Sequence, residues 1–322
     1  MIILLLSLLI LSYTLTYIIK EISIKKSLVA EVNERSLHTT PMPHGGGIAI
    51  VFTWLSGITY LFFTNVIETP LYLALIFGLI LSIVSYIDDL IDLSPKIRLL
   101  TQAVIAFLGL FTLGGFEQLN FFYFTIENQF MTNIFAFLMI IWFINLYNFL
   151  DGIDGYAGSE AVFLSLAAFI FFGGAHFLVL AVSVLGFLVW NWHRAKIFMG
   201  DVSSTLLGYN VAIFTIYYGN QESSNFWVWI ILFSLFWFDA TLTLFRRYKN
   251  SEKVSQAHKK HAYQRLHQSG WSHSDIVIAS IKLNILLFLI VYFFSSILLA
   301  FLSSLIILSA SMKYIDSQKG FN

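Results

Sequence analysis

Long apolar runs alternate with short polar stretches along nearly the whole chain. A bilayer crossing needs about 20 residues, and a window of about 19 marks the runs 2–19, 46–63, 71–87, 99–115, 131–147, 161–173, 175–192, 204–218, 226–244, 276–294 and 297–311. The pattern predicts about eleven transmembrane helices. The run 161–173 is short for a crossing, and only Ser295-Ser296 separates the last two runs. The first run has no basic segment before it and no small-residue cleavage site after it, so it reads as a retained helix and not a removed leader. No repeat, low-complexity tract or linker divides the chain. The expectation is an all-α, polytopic membrane helical bundle, one domain over 1–322.

Composition agrees. The 322 residues are 58% hydrophobic and 11% charged, against about 25% charged in a soluble domain. The formal net charge is +0, which predicts no nucleic-acid partner. There is no cysteine, hence no disulfide and no thiolate nucleophile or metal ligand.

Charge distribution sets an expected orientation. If the stretch after the first run is cytoplasmic, every Lys and Arg except Lys282 falls in cytoplasmic loops or helix ends. The opposite loops hold Glu68, Glu117, Glu127 and Glu222. Lys282 lies just inside a run and can snorkel to the interface. This positive-inside pattern puts the N-terminus outside and the C-terminus in the cytoplasm. The cytoplasmic loops are then about 20–45, 88–98, 148–160, 193–203 and 245–275.

Those loops hold the polar clusters. In Asn148-x-x-Asp151-Gly152-x-Asp154-Gly155 the glycines allow a sharp turn that presents two carboxylates together. A carboxylate beside hydrocarbon is expensive and reads as functional by default; the plain alternative is a polar turn between helices. Asp88, Asp89 and Asp92 end an apolar run and suit hard oxygen ligation of Mg²⁺ or Mn²⁺, or simply end a helix at the interface. Lys96 and Arg98 suit phosphate oxygens or membrane anchoring, and Arg35 is a further basic candidate for substrate contact. Asp201 follows Gly200 at the start of a run, where an acid is also helix-stabilising. His258 and His261 share a face if helical. They fit phosphate contact or proton transfer better than zinc, which lacks a third ligand there. Gly45-Gly46-Gly47 lacks the ending of a P-loop and reads as a close-packed helix entry. Asp239 reads as structural. The piece 246–275 reads as a loop with a helix on the membrane surface.

Together, Asp88-Asp89-x-x-Asp92, the Asn148–Gly155 motif and Phe198-Met199-Gly200-Asp201 resemble the polyprenyl-phosphate N-acetylhexosamine-1-phosphate transferase superfamily, over about residues 33–265. The resemblance implies a helical bundle with a cytoplasmic active site. Its reaction moves a sugar 1-phosphate from a UDP-sugar to a lipid phosphate and releases UMP. Asn33-Glu34-Arg35-Ser36-x-His38 and Ala257-His258-x-x-His261-Ala262-Tyr263-Gln264 look like the bacterial branch that starts O-antigen and capsule glycans on undecaprenyl phosphate in the inner membrane. That loop is more like those of enzymes using UDP-N-acetylfucosamine or UDP-N-acetylquinovosamine than those using UDP-GlcNAc. The resemblance implies Asp201 as principal Mg²⁺ ligand, with Asp88 and Asp89 near the metal and lipid phosphate. It implies Phe198 stacked on uracil, Asp154 bonded to it, Asn148 and Asp151 lining the donor site, and His258 and His261 on the diphosphate or sugar. The implied partners are the UDP-sugar, undecaprenyl phosphate and membrane lipids; a homodimer is compatible with the sequence. A transporter is the rival reading, but its polar sites belong near the midplane, usually with repeats. Here the acids gather at one face.

Overall fold

The computed structural model of the chain describes residues 1–26, 29–30, 42–254, 256 and 258–321. Helices dominate, as apolar runs of about 20 residues require in lipid, where every backbone group needs an internal partner. The first half holds α1 (Ile2–Lys25), α2 (Gly47–Phe63), α3 (Thr69–Ile76), α4 (Gly78–Ile91), α5 (Pro95–Thr112) and α6 (Gln129–Phe149). Then come α7 (Tyr156–Phe172), α8 (Ala175–Asn191), α9 (Asp201–Gln221), α10 (Ser223–Leu232), α11 (Ser234–Lys249), α12 (Ala262–Gln268), α13 (His273–Phe293) and α14 (Ile297–Gln318). Two small antiparallel pairs complete the fold: β1 (Val29–Ala30) with β2 (Met42–Pro43), and β3 (Leu119–Phe121) with β4 (Phe124–Ile126).

The chain is an all-α polytopic membrane protein, but the expected eleven spans are not reached by length and composition. Among the described residues six segments qualify: α1, α3 with α4, α5, α6, α13 and α14. The α10–α11 pair, bent by 71°, makes a seventh if counted as one span. The runs at α2, α7 and α8 are helices of 17 residues. α9 is long enough but carries Ser203, Ser204, Thr205, Asn210 and Thr215. A helix enclosed by other helices does not need a lipid-length apolar surface. The break at Ser295-Ser296 is where the sequence puts it, with Ser296 capping α14 by accepting from the Leu299 amide.

α9 is the axis of the bundle. Residues 202–216 are all buried, and α9 packs on α2, α4, α6 and α10. Gly208 lets α6 approach closely: a Cβ there would sit 2.8 Å from the Tyr147 Cβ and 3.0 Å from the Ile144 Cα. That contact brings the end of α6, with Asn148, against the start of α9, with Asp201. The seven-residue α12 is not a surface helix. Its residues Ala262–Leu266 are buried, and it packs on α13 and α14.

Candidate active site

Asp88, Asn148, Asp151 and Asp201 line one cavity of about 560 Å³, together with Arg98, His258 and His261. Asp201 is the first residue of α9, after Gly200 at φ +79. A side chain at Gly200 would be strained there and would meet Asp89 Oδ2 at 3.0 Å. Asn148 Nδ2 donates to Asp201 Oδ1 at 2.8 Å and to Ser204 Oγ at 2.9 Å. Asp88 Oδ2 accepts from Arg98 Nη1 at 3.0 Å, and Asp88 Oδ1 accepts from the Leu93 amide at 2.8 Å. Asp92 makes the second bond possible by ending α4 in the left-handed conformation, φ +52; its own side chain is exposed and outside the cavity lining.

The carboxylates are close enough to repel. Asp201, Asp88 and Asp151 all act on Asp89, whose buried Oδ2 has no hydrogen-bond partner. Burial, then the charge on Asp201, raises Asp151 to about 7. Such a cluster fits a hard divalent cation, which takes carboxylate oxygens and keeps positions for phosphate and water.

A second acidic centre differs. Asp154 Oδ2 lies 3.3 Å from His193 Nδ1 and 3.4 Å from His273 Nδ1, and accepts from the Ala195 amide at 3.1 Å. Burial works to raise the Asp154 pKa, but the His273 and Ala195 hydrogen bonds outweigh it and hold the carboxyl below its ordinary value. Asp154, His193 and His273 could also gather a metal ion, but two imidazoles with one carboxylate suit zinc rather than magnesium.

The loop before Asp201 is fixed by backbone bonds. The Phe198 amide donates to the Pro43 carbonyl, and the Gly46 and Gly47 amides donate to the Phe198 and Met199 carbonyls, at 2.8, 3.0 and 2.9 Å. A Cβ at Gly47 would meet the Met199 carbonyl at 2.8 Å. The triglycine is thus a close-packed helix entry.

The histidines are not on one helix. His258 precedes α12 and His261 is its N-cap, yet their rings are 4.8 Å apart. Asp239 causes this: both its oxygens accept the Ala262 amide, at 2.9 and 3.0 Å, and Oδ1 lies 3.6 Å from His261 Nδ1. Asp239 therefore anchors the start of α12. It does not pair with Arg246, which binds Asp316 in a fork at 2.9 and 3.0 Å. Arg247 holds the loop by donating to the Lys253, Val254 and Gln256 carbonyls. Burial, then the charges of His261 and Arg247, lowers His258 to about 4, so it is neutral at neutral pH.

With this geometry in view, comparison with known proteins decides the family. The profile of glycosyl transferase family 4 matches residues 71–219. A Bacillus subtilis (strain 168) protein named as a probable undecaprenyl-phosphate N-acetylglucosaminyl 1-phosphate transferase is 31% identical, over 82% of this chain and 76% of its own. The chain belongs to glycosyl transferase family 4. The Mycobacterium tuberculosis (strain H37Rv) decaprenyl-phosphate N-acetylglucosaminephosphotransferase is 26% identical over 84% of this chain and 76% of its own. The Salmonella typhi undecaprenyl-phosphate alpha-N-acetylglucosaminyl 1-phosphate transferase is 27% identical over 80% and 73%. The superfamily resemblance read from the motifs is borne out.

For this family 4 member, not every expected site residue gathers at the cavity. Asp88, Asp151, Asn148, Asp201, Arg98, His258 and His261 line it; Asp89, Asp154, Phe198 and Lys96 do not. Asp89 sits against Gly200, the residue before Asp201. Lys96 is exposed at the start of α5, and Phe198 is half-buried. Arg35 and His38 lie outside the described residues. Asn191 was not singled out, yet it joins the motif loops: its Oδ1 accepts from the Gly155 amide and its Nδ2 donates to the Ile197 carbonyl, both at 3.0 Å. Its signal is an amide closing an apolar helix just before Phe198–Asp201. His44 was also missed; burial lowers its pKa while the charge of Asp201 works to raise it.

Proposed function

We propose that this protein transfers an N-acetylhexosamine 1-phosphate from a UDP-sugar to undecaprenyl phosphate, releasing UMP and starting a lipid-linked surface glycan. The observation that carries the reading is the cavity that unites Asp88, Asn148, Asp151 and Asp201 with Arg98, His258 and His261 in a family 4 chain. The acceptor's phosphate oxygen attacks the β-phosphorus, a new P–O bond forms, and the bond to the bridging oxygen breaks as UMP leaves. Both reactants are anionic, so the site must offset their repulsion.

A Mg²⁺ or Mn²⁺ ion held by Asp201 with Asp88 would supply that offset and polarise the reacting phosphoryl group. Arg98 suits a phosphate oxygen once its bond to Asp88 is shared. Asn148 orients Asp201. Asp89 and Asp151, ionised once a cation is bound, would add negative charge that strengthens its binding. His258, neutral at pH 7, suits hydrogen bonding to the diphosphate or sugar. Phe198, in the loop that leads into Asp201, is the candidate for stacking on uracil, and Asp154 for bonding it. An acceptor phosphate is already ionised near pH 7, so no strong base is required.

The lysine and arginine asymmetry supports a cytoplasmic site, with the N-terminus outside and the C-terminus inside the bacterial inner membrane. The three relatives above carry N-acetylglucosamine in their names, so the deoxy-sugar donor rests on the loop 257–264 alone. The test is UMP release by purified protein with Mg²⁺ and undecaprenyl phosphate, across UDP-N-acetylglucosamine, UDP-N-acetylfucosamine and UDP-N-acetylquinovosamine. A preferred donor with acceptor-dependent UMP is the expected outcome. No UMP from any donor contradicts the reading.

A further inference from the structure

Glu160 in α7 and Asn284 in α13 meet inside the bundle, 2% and 1% exposed. Asn284 Nδ2 donates to Glu160 Oε2 at 2.5 Å. The other two oxygens, Glu160 Oε1 and Asn284 Oδ1, are buried and have no hydrogen-bond partner. An ionised carboxylate and an amide oxygen are both acceptors only. Ionised Glu160 would therefore leave two orphaned acceptors on residues that already touch. A buried carboxylate without a cation neutralises itself instead, and among the described residues no ion pair joins Glu160. One proton on Oε1 resolves both orphans, because the hydroxyl then donates to Asn284 Oδ1.

We infer that Glu160 carries a proton and closes a ring of two hydrogen bonds with Asn284, and that this clamp positions α13 on α7 for the site. The two helices matter because each begins at the second acidic centre. α7 starts directly after Asp154-Gly155, and α13 starts at His273, whose Nδ1 lies 3.4 Å from Asp154 Oδ2. On one side α7 and α13 leave an apolar groove of about 360 Å³, lined by Val162, Phe163 and Leu166 against Ile281, Ile285 and Phe288. Apolar packing between them is therefore incomplete, and the polar clamp takes a larger share in fixing register. A slip of one turn, about 5.4 Å, would carry His273 away from Asp154.

The experiment compares wild type, E160Q and N284L. Glutamine keeps both bonds, its amide donating where the hydroxyl did, so E160Q should match wild type in thermal midpoint and in KM for the UDP-sugar. N284L should lower the midpoint and raise that KM about tenfold, the size of one lost buried hydrogen bond to the positioned loop, with a smaller change for the lipid acceptor. The infrared difference between wild type and E160Q at neutral pH should show the C=O band of a protonated carboxylic acid, lost in E160Q. Absence of that band, or an E160Q as damaged as N284L, overturns the clamp. The infrared arm needs only wild type and E160Q, so it holds even where N284L does not fold. The kinetic arm rests on the function proposed above; the infrared and thermal arms do not. A protonated band with normal E160Q stability, in a protein without transfer activity, would uphold the clamp and overturn the function.

Discussion

Asp201 and Asp154 lie at the same end of the bundle, on loops joined through Asn191, yet they are held in opposite ways. One oxygen of Asp154 faces three nitrogens, from His193, His273 and Ala195. Among the described residues Asp201 takes one side-chain hydrogen bond, from Asn148, with Asp88 repelling it and the charges of Arg98 and His44 only partly offsetting that. Nearby, Asp89 keeps a buried oxygen with no partner. The first arrangement is electrostatically complete and holds loops together. The second is incomplete, because clustered acids repel unless a cation joins them. On the function proposed above, the contrast fits cation chemistry at Asp201, and at Asp154 a carboxylate fixed by its loop partners for contact with the base.

Removing the cation is the harshest way to break that contrast. Chelator should abolish transfer, and Mg²⁺ or Mn²⁺ should restore it; full activity in excess chelator would mean that the acids act without metal. Next, Asp201→Asn and Asp88→Asn should each lower turnover a hundredfold or more, about 3 kcal/mol in barrier, with the fold retained on size exclusion. Near-normal turnover in Asp201→Asn would remove it as principal ligand.

Smaller effects belong to the loops. Phe198→Ala should raise KM for the UDP-sugar by about one to two orders of magnitude, since stacking on a base contributes about 1–3 kcal/mol and lost uniform binding appears in KM. Equal losses for both substrates would make Phe198 an interfacial anchor. His193→Ala removes one of three partners from Asp154 and should change kcat/KM by only about threefold, the scale of a single hydrogen bond. A loss as large as that of Asp201→Asn would erase the distinction between the two centres.

Much of this was legible in the sequence because lipid constrains it. Apolar runs of this length became helices because within one segment only a helix satisfies the backbone in lipid, and acids beside those runs pointed to the candidate site. Three features were not legible. Length and composition do not reproduce the count of eleven spans, because buried α9 carries Asn210 and several hydroxyls and because α2, α7 and α8 are 17 residues long. The shared-face reading of His258 and His261 assumed a helix, whereas Asp239, a distant residue, starts α12 one position after His261. The partners of Asp154 come from α13 and from the segment between α8 and α9, and spacing carries no record of such long-range pairs.

The most direct test of the central claim follows the β-phosphorus. Purified protein is given undecaprenyl phosphate, Mg²⁺ and a UDP-N-acetylhexosamine labelled at the β-phosphate, and the lipid and aqueous fractions are counted. The account predicts that label enters the lipid in step with unlabelled UMP appearing in water, and that Asp201→Asn suppresses both. Label remaining in water as UDP would mean that the sugar moves without its phosphate, and would contradict the account.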